Sequence, residues 1–186
     1  MIYIKTNITN QKIALIAMLN ALAVGGQIVS LPFPGVSLIY LVIVISGVAY
    51  GFSIGACVGF LSMLISVIIV GFNPIDLWVV IAMSLIGAFS GILSKINFGQ
   101  LYDTNSFYNR VFLGFYGVLI VIFFSLFTDM GWWFLWFPHT WNAYVTVALT
   151  GLAFNVPSMI FNAVLFGIVI PPVLIALRKA GLIGVS

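Results

Sequence analysis

The stretch that decides the fold is Val111-Phe-Leu-Gly-Phe-Tyr-Gly-Val-Leu-Ile-Val-Ile-Phe-Phe-Ser-Leu-Phe127. It carries no charge, and with its flanks it reaches the roughly 20 apolar residues that a helix needs to cross a bilayer. It has company: Leu38 to Tyr50 is a second unbroken apolar run. Across all 186 residues the chain is 63% hydrophobic and 5% charged, where a soluble domain carries about 25% charged residues. No soluble fold of this length hides that much apolar surface, so the surrounding solvent is lipid. In lipid every backbone polar group must be satisfied internally, which leaves helices and closed barrels. Barrel strands alternate apolar and polar over segments of about ten residues. Continuous runs exclude that pattern, and the sequence predicts an all-α integral membrane protein in the cell membrane.

Working outward, the punctuation predicts a single domain, residues 1–186, built as a six-transmembrane-helix bundle over about 12–30, 36–51, 54–71, 76–95, 110–128 and 156–178. Leu31-Pro-Phe-Pro-Gly35 ends the first helix, and Gly71-Phe-Asn-Pro74 ends the third. The segment Leu38 to Val70 is too long for one span. Gly51 and Gly55 flank Phe52-Ser53-Ile54 and mark a tight hairpin. Asn97 to Asn109 reads as the one hydrophilic loop. Thr128 to Asn155 reads as an ordered external loop holding a short helix near 142–153. With both termini cytoplasmic, Lys5, Lys12, Lys95, Arg110, Arg178 and Lys179 all fall at inner ends, while Asp76 and Asp129 fall outside. That is a strong positive-inside pattern. The first apolar run, from Ile13, lacks a small-residue cleavage site and is followed by more spans, so it is expected to remain as a span.

A net charge of +3 spread over the helix ends makes no phosphate-tracking stripe, so nucleic acid is not an expected partner. The sequence contains no Glu, one His and three Asp. Cys-x-x-Cys, His-Glu-x-x-His and Gly-x-Ser-x-Gly are all missing. Neither an enzyme nor a metal or other cofactor site is expected. Almost no ionisable group lies in the middle of a helix, which disfavours an ion-coupled pump. The lone Cys57, in a Gly-rich run, reads as a small packing residue.

In lipid, close helix packing relies on small residues. Gly47, Gly51, Gly55 and Gly59 recur every four residues, and Gly87 and Gly91 repeat the step in the fourth helix. On the first helix Ala14, Ala17, Ala21 and Gly25 share nearly one face. That face serves either internal packing or another membrane subunit.

The remaining signal is Thr128-Asp-Met-Gly-Trp-Trp-Phe-Leu-Trp-Phe-Pro-His-Thr-Trp-Asn-Ala-Tyr144. An interfacial aromatic belt is one reading, since Trp and Tyr favour the headgroup zone. Concentration in one segment suggests the other: a site for a flat heteroaromatic ligand. The candidate ligand residues are Asp129, Trp132, Trp133, Trp136, His139, Trp141, Asn142 and Tyr144, with Asn73 and Asn162 from neighbouring helices. Asn155 is as suited to bonding a helix backbone as to bonding a ligand.

The layout resembles the substrate-binding S components of energy-coupling factor (ECF) vitamin transporters. The resemblance lies in Ala14-Leu-Ile-Ala-Met-Leu-Asn-Ala21, in the Pro-rich first external loop, and in Gly47-Val-Ala-Tyr-Gly-Phe-Ser-Ile-Gly-Ala-Cys-Val-Gly59. It continues in Leu85-Ile-Gly-Ala-Phe-Ser-Gly-Ile-Leu93 and in the final helix from Asn162 to Arg178. It implies capture of a vitamin-like small molecule at the outer face, then delivery with a membrane T component and two cytoplasmic ATPase subunits. It also implies partner contact through Ala14, Ala17 and Ala21, and a pocket formed by the outer parts of the last three helices with loop 31–36 as a lid. A large ring system such as cobalamin or a flavin suits the Trp-rich segment. The other readings are a membrane accessory protein that packs with partner helices, and a stand-alone facilitator.

Overall fold

A computed structural model describes residues 2–33, 36–93 and 107–182, with the backbone alone for 2–9 and 93. Among these residues the chain forms α1 (Ile2–Ser30), α2 (Ile39–Tyr50), α3 (Phe52–Val70), α4 (Asp76–Leu93), α5 (Phe107–Trp136), α6 (Trp141–Phe154) and α7 (Val156–Lys179). The protein is a multi-pass membrane protein. Among the described residues four segments are long and apolar enough to cross a bilayer: Asn10–Ser30, Phe52–Val70, Phe107–Trp136 and Val156–Lys179. Helix α2 has 12 residues, which at 1.5 Å per residue is about 18 Å against a hydrocarbon core of about 30 Å. Helix α4, with 18 residues, comes close to that thickness.

Where one side of a helix meets lipid, large apolar residues face outward. Ile68, Phe115 and Ile168 are 74%, 60% and 57% exposed. The interior holds Ile43, Val44, Ile86, Phe166 and Ile170, and with them buried hydroxyls. Those hydroxyls return to their own helices: Ser46 donates to the Ile43 carbonyl at 2.7 Å, Ser66 to Ser62 at 2.9 Å and Ser90 to Ile86 at 2.7 Å. Such back-bonding satisfies these hydroxyl donors in a medium without water.

The glycine repeats explain how α2, α3 and α4 pack. A methyl group built on Gly55 would run into the Gly87 carbonyl, and one on Gly87 into the Gly55 carbonyl. At Gly59 it would strike Met83, and at Gly91 the backbone of Phe52. The three helices therefore touch backbone to backbone. Gly51 makes the turn between α2 and α3 at φ +89°, a conformation that glycine adopts without steric cost. Its N–H closes on Gly47 at 2.8 Å, and its carbonyl accepts from Gly55 at 3.0 Å. The hairpin expected at this point is present. A second close contact joins α5 to α7, where Gly114 and Gly117 face the backbones of Ala163 and Asn162.

Several expected boundaries shift. Helix α2 begins at Ile39 rather than 36, and α5 begins at Phe107 rather than 110. The larger correction is at the other end of α5, which was expected to stop near 128 and runs to Trp136. The polar residues Thr128 and Asp129 suggested a loop, but nothing between them and Trp136 breaks a helix. Thr128 bonds back to Phe124 at 2.8 Å, and Gly131 is packed against Trp78. Pro138 is the first true stop, and it biases Phe137 away from helical backbone. The external loop expected over 128–155 is thus two more turns of α5, a turn at 137–140, and α6, which matches the short helix expected near 142–153. Lys95 and residues 97–106 of the expected polar loop lie outside the described residues, as do Pro34 and Gly35 of the loop after α1.

Substituting Gly87→Val should lower stability by about 1–3 kcal/mol or prevent folding, because overpacking cannot be relieved by a backbone neighbour. Gly25→Ala, which meets nothing within 4 Å, should leave the melting temperature in detergent within a degree or two. Equal melting temperatures for the two variants would contradict the packing described here.

Candidate functional site

A cavity of about 580 Å³ opens where the start of α4, the last turns of α5 and the length of α6 come together. Its size falls within the usual range for small-molecule sites, roughly 300–1,000 Å³. Helical spacing brings its residues to one place. On α5, Phe124, Thr128, Asp129 and Trp132 lie one turn apart on a single face. On α6, Thr146, Val147, Thr150, Gly151 and Phe154 do the same. Ile75 and Val79 close the α4 side, Phe137 enters from the turn, and Asn155 stands at the joint of α6 and α7.

Asn155 ends α6 and begins α7 with no loop between them. Its side-chain N–H₂ donates to the Gly151 carbonyl at 2.9 Å and to Ser125 Oγ at 3.2 Å. Ser125 in turn donates to Asp129 Oδ2 at 2.9 Å. This chain of hydrogen bonds ties the α6–α7 joint to α5. Asp129 is 7% exposed, and its carboxylate lies directly on Gly151, where any side chain would overlap both carboxylate oxygens. A carboxylate set this deep in an apolar helix is costly and marks a functional position by default.

The candidate residues divide into five groups. Asp129 and Trp132 line the cavity, and the Trp132 ring packs at 4.5 Å on Trp136, which projects outward. Trp133, His139 and Tyr144 instead clamp the turn. Trp133 Nε1 donates to the Pro138 carbonyl at 2.9 Å, and the Trp133 ring meets those of His139 and Tyr144 edge-on at 5.6 Å. His139 Nε2 lies 3.1 Å from the Phe134 carbonyl, and Thr140 caps α6 by accepting from the Ala143 N–H at 3.3 Å. Trp141 and Asn142 are exposed at the start of α6, Trp141 packing on Tyr144. Asn73 belongs to the α4 cap: its N–H donates to Asp76 Oδ2 at 2.6 Å. Asn162 is fully buried between α5 and α7, donating to the Ser158 carbonyl at 2.9 Å, and its Oδ1 has no partner.

Sequence reading missed Thr128, Thr146, Thr150 and Gly151 as cavity residues. A signal was present: Thr146, Thr150 and Gly151 are the small or polar positions of one α6 face, set in apolar surroundings.

The α1 surface is also resolved. Ala14, Ala17, Ala21 and Gly25 are all exposed, while Leu19 and Ala23 on the opposite side are buried. Ala17, Ala21 and Gly25 border a groove of about 760 Å³ whose other wall is Cys57, Leu61 and Ile65 of α3. The small-residue face is therefore not used for packing among the described residues.

A family model described as ECF-type riboflavin transporter, S component, matches residues 7–179. No curated protein and no solved structure matches the chain.

Asn155→Ala takes from Ser125 Oγ the donor that ties α5 to the α6–α7 joint, while the Gly151 carbonyl keeps its bond from the residue-155 backbone N–H at 2.9 Å. It should cost about 1–3 kcal/mol, the usual penalty for orphaning a partly buried polar group. Thermal unfolding in detergent reads this out, with the exposed Asn142→Ala as the variant that should not move. An unaltered melting temperature for Asn155→Ala would mean that the joint is held by something else.

Proposed function

The chain belongs to the family of ECF-type riboflavin transporter S components, and from that premise we propose that it is the vitamin-capturing subunit of an importer. In this reading a riboflavin-type vitamin occupies the α4–α5–α6 cavity. A membrane T component and two ATPase subunits supply the energy for its transfer. The observation that carries the proposal is the cavity itself. Apolar and aromatic walls from Ile75, Val79, Phe124, Trp132 and Phe154 suit a flat ring, and one edge is polar through Asp129, Thr146, Thr150 and Asn155. A few placed polar groups in a mostly apolar lining are what fix a ligand's orientation.

The charge distribution supports an outward-facing site. Connectivity puts the end of α1, the end of α3, the start of α4 and the end of α5 on one side of the bundle, with the cavity. Lys12, Arg110, Arg178 and Lys179 lie toward the opposite ends of their helices. The positive-inside rule then makes that end cytoplasmic and the cavity extracellular. We read six spans, with the short α2 and α4 embedded among longer neighbours and α6 lying at the outer face. The subunit's own task is binding, and ATP hydrolysis belongs to its partners. The exposed Ala14, Ala17 and Ala21 face is the natural contact for the T component, because only small residues let a partner helix approach closely.

Purified protein titrated with riboflavin should quench the vitamin's fluorescence saturably at one site per chain. Trp132→Ala should weaken binding by about threefold to tenfold, the worth of an aromatic contact of 0.5–1.5 kcal/mol. No quenching and no thermal shift with riboflavin would end this reading. Replacing Ala17 and Ala21 together by Trp should abolish ATP-dependent uptake in liposomes containing the T component and ATPases, with riboflavin binding preserved. Full uptake by that double variant would remove α1 from the partner contact.

A further inference from the structure

What the cavity offers a ligand depends on the hydrogen bonds its wall has already made. A hydroxyl has one hydrogen to give, so once it donates it can only accept. Thr128 gives its hydrogen to the Phe124 carbonyl, Thr146 to Asn142 at 2.9 Å and Thr150 to Thr146 at 2.8 Å. The Asn155 amide donates to Gly151 and Ser125. What remains toward the cavity is a set of acceptors: threonine oxygens and the Asp129 carboxylate, on which Ser125 occupies Oδ2 alone. The one uncommitted side-chain donor in the wall is the neutral indole N–H of Trp132.

Among the described residues, no lysine, arginine or histidine lines the cavity. Arg110 stands eighteen residues before Thr128 on α5, about 27 Å away along the helix. Arg178 and Lys179 close the far end of α7, more than about 30 Å from Asn155. His139 is turned onto the Phe134 carbonyl, outside the wall. The start of α4 borders the cavity through Ile75, and a bare helix N-terminus there would attract an anion. This one is already closed. Asp76 accepts from the Asn73 N–H, and the Asp76 and Trp78 N–H groups go to Asn73 and Ile75 at 2.8 and 2.9 Å. Its own carboxylate adds a second negative charge.

We infer that this site reads its ligand through the ligand's own N–H and O–H donors, with Asp129 as the specificity-determining acceptor, and that it refuses the same ligand carrying a phosphate. The inference rests on the riboflavin reading above and adds to it a rule for which form is taken. A phosphate ester would sit beside the Asp129 carboxylate with no cation among the described lining residues to meet it, and like charges placed together without a counter-charge are disfavoured. Donor groups on a neutral ring or polyol find acceptors waiting.

The test compares riboflavin with riboflavin 5′-phosphate on the purified wild-type chain by fluorescence quenching and by thermal shift. Riboflavin should bind, and its phosphate at least 100-fold more weakly, equivalent to about 2.7 kcal/mol. Binding of the two within threefold overturns the inference while the riboflavin reading stands. Binding of neither overturns both. Asp129→Asn keeps the shape, removes the charge and replaces one acceptor oxygen by a donor. It should weaken riboflavin at least tenfold and narrow the gap between the two ligands to under tenfold. An unchanged gap in a folded Asp129→Asn protein removes Asp129 from the role.

Discussion

In lipid an apolar side chain gains little by leaving its solvent, so this bundle is held where two backbones come into contact. Gly47, Gly55 and Gly59 meet Gly87, Gly91 and Met83 with no room for a methyl group between them. At that range dispersion acts over many atoms at once and the helix axes cannot slide. The tight α2–α3 turn at Gly51 and the buried serines bonded within their own helices follow from the same requirement. Each keeps polar backbone or hydroxyl groups satisfied without widening the gap between helices. The large residues are then free to face outward, as Ile68 and Phe115 do.

The C-terminal end of α5 departs from that scheme. There the helices part enough to leave a cavity, and a carboxylate enters the gap. Asp129 is tolerated because Ser125 donates to it, Asn155 donates to Ser125, and Gly151 removes the side chain that would otherwise fill its place. Three residues, on α5, on α6 and at the α6–α7 joint, thus serve one group. A polar network this deep is stable only when its members are satisfied. Here the protein satisfies one carboxylate oxygen and leaves the other toward the cavity.

Much of this was legible beforehand. The membrane class followed from composition, the hairpin from Gly51 and Gly55, and the short helix near 142–153 from the segment between Pro138 and Asn155. The packing role of the glycine repeats was visible in their four-residue spacing. The Trp-rich segment reads as a loop in one dimension, and the structure makes it the end of α5, a turn and the start of α6. Thr128 and Asp129 look like loop residues in one dimension, and only contacts from other elements show how a helix holds them. Trp133 and Trp132 are adjacent in sequence and about 100° apart around the helix, so one clamps a turn and the other lines the cavity. The shared face of Thr146, Thr150 and Gly151 on α6 is visible in their spacing, but it points to a cavity only once the surface of α5 is known to face it. The α1 alanines left two readings open, and their exposure among the described residues favours contact with another subunit.

The contact between Asp129 and Gly151 has an evolutionary corollary. A chain that keeps this backbone has room for a long side chain at one of the two positions but not at both. The positions are therefore bound to vary together. A descendant that enlarged residue 151 would have to shorten residue 129 and, with it, surrender the acceptor at the heart of the cavity. A shift in ligand preference along such a lineage would begin as a trade of volume across a helix interface, with the glycine as its silent partner.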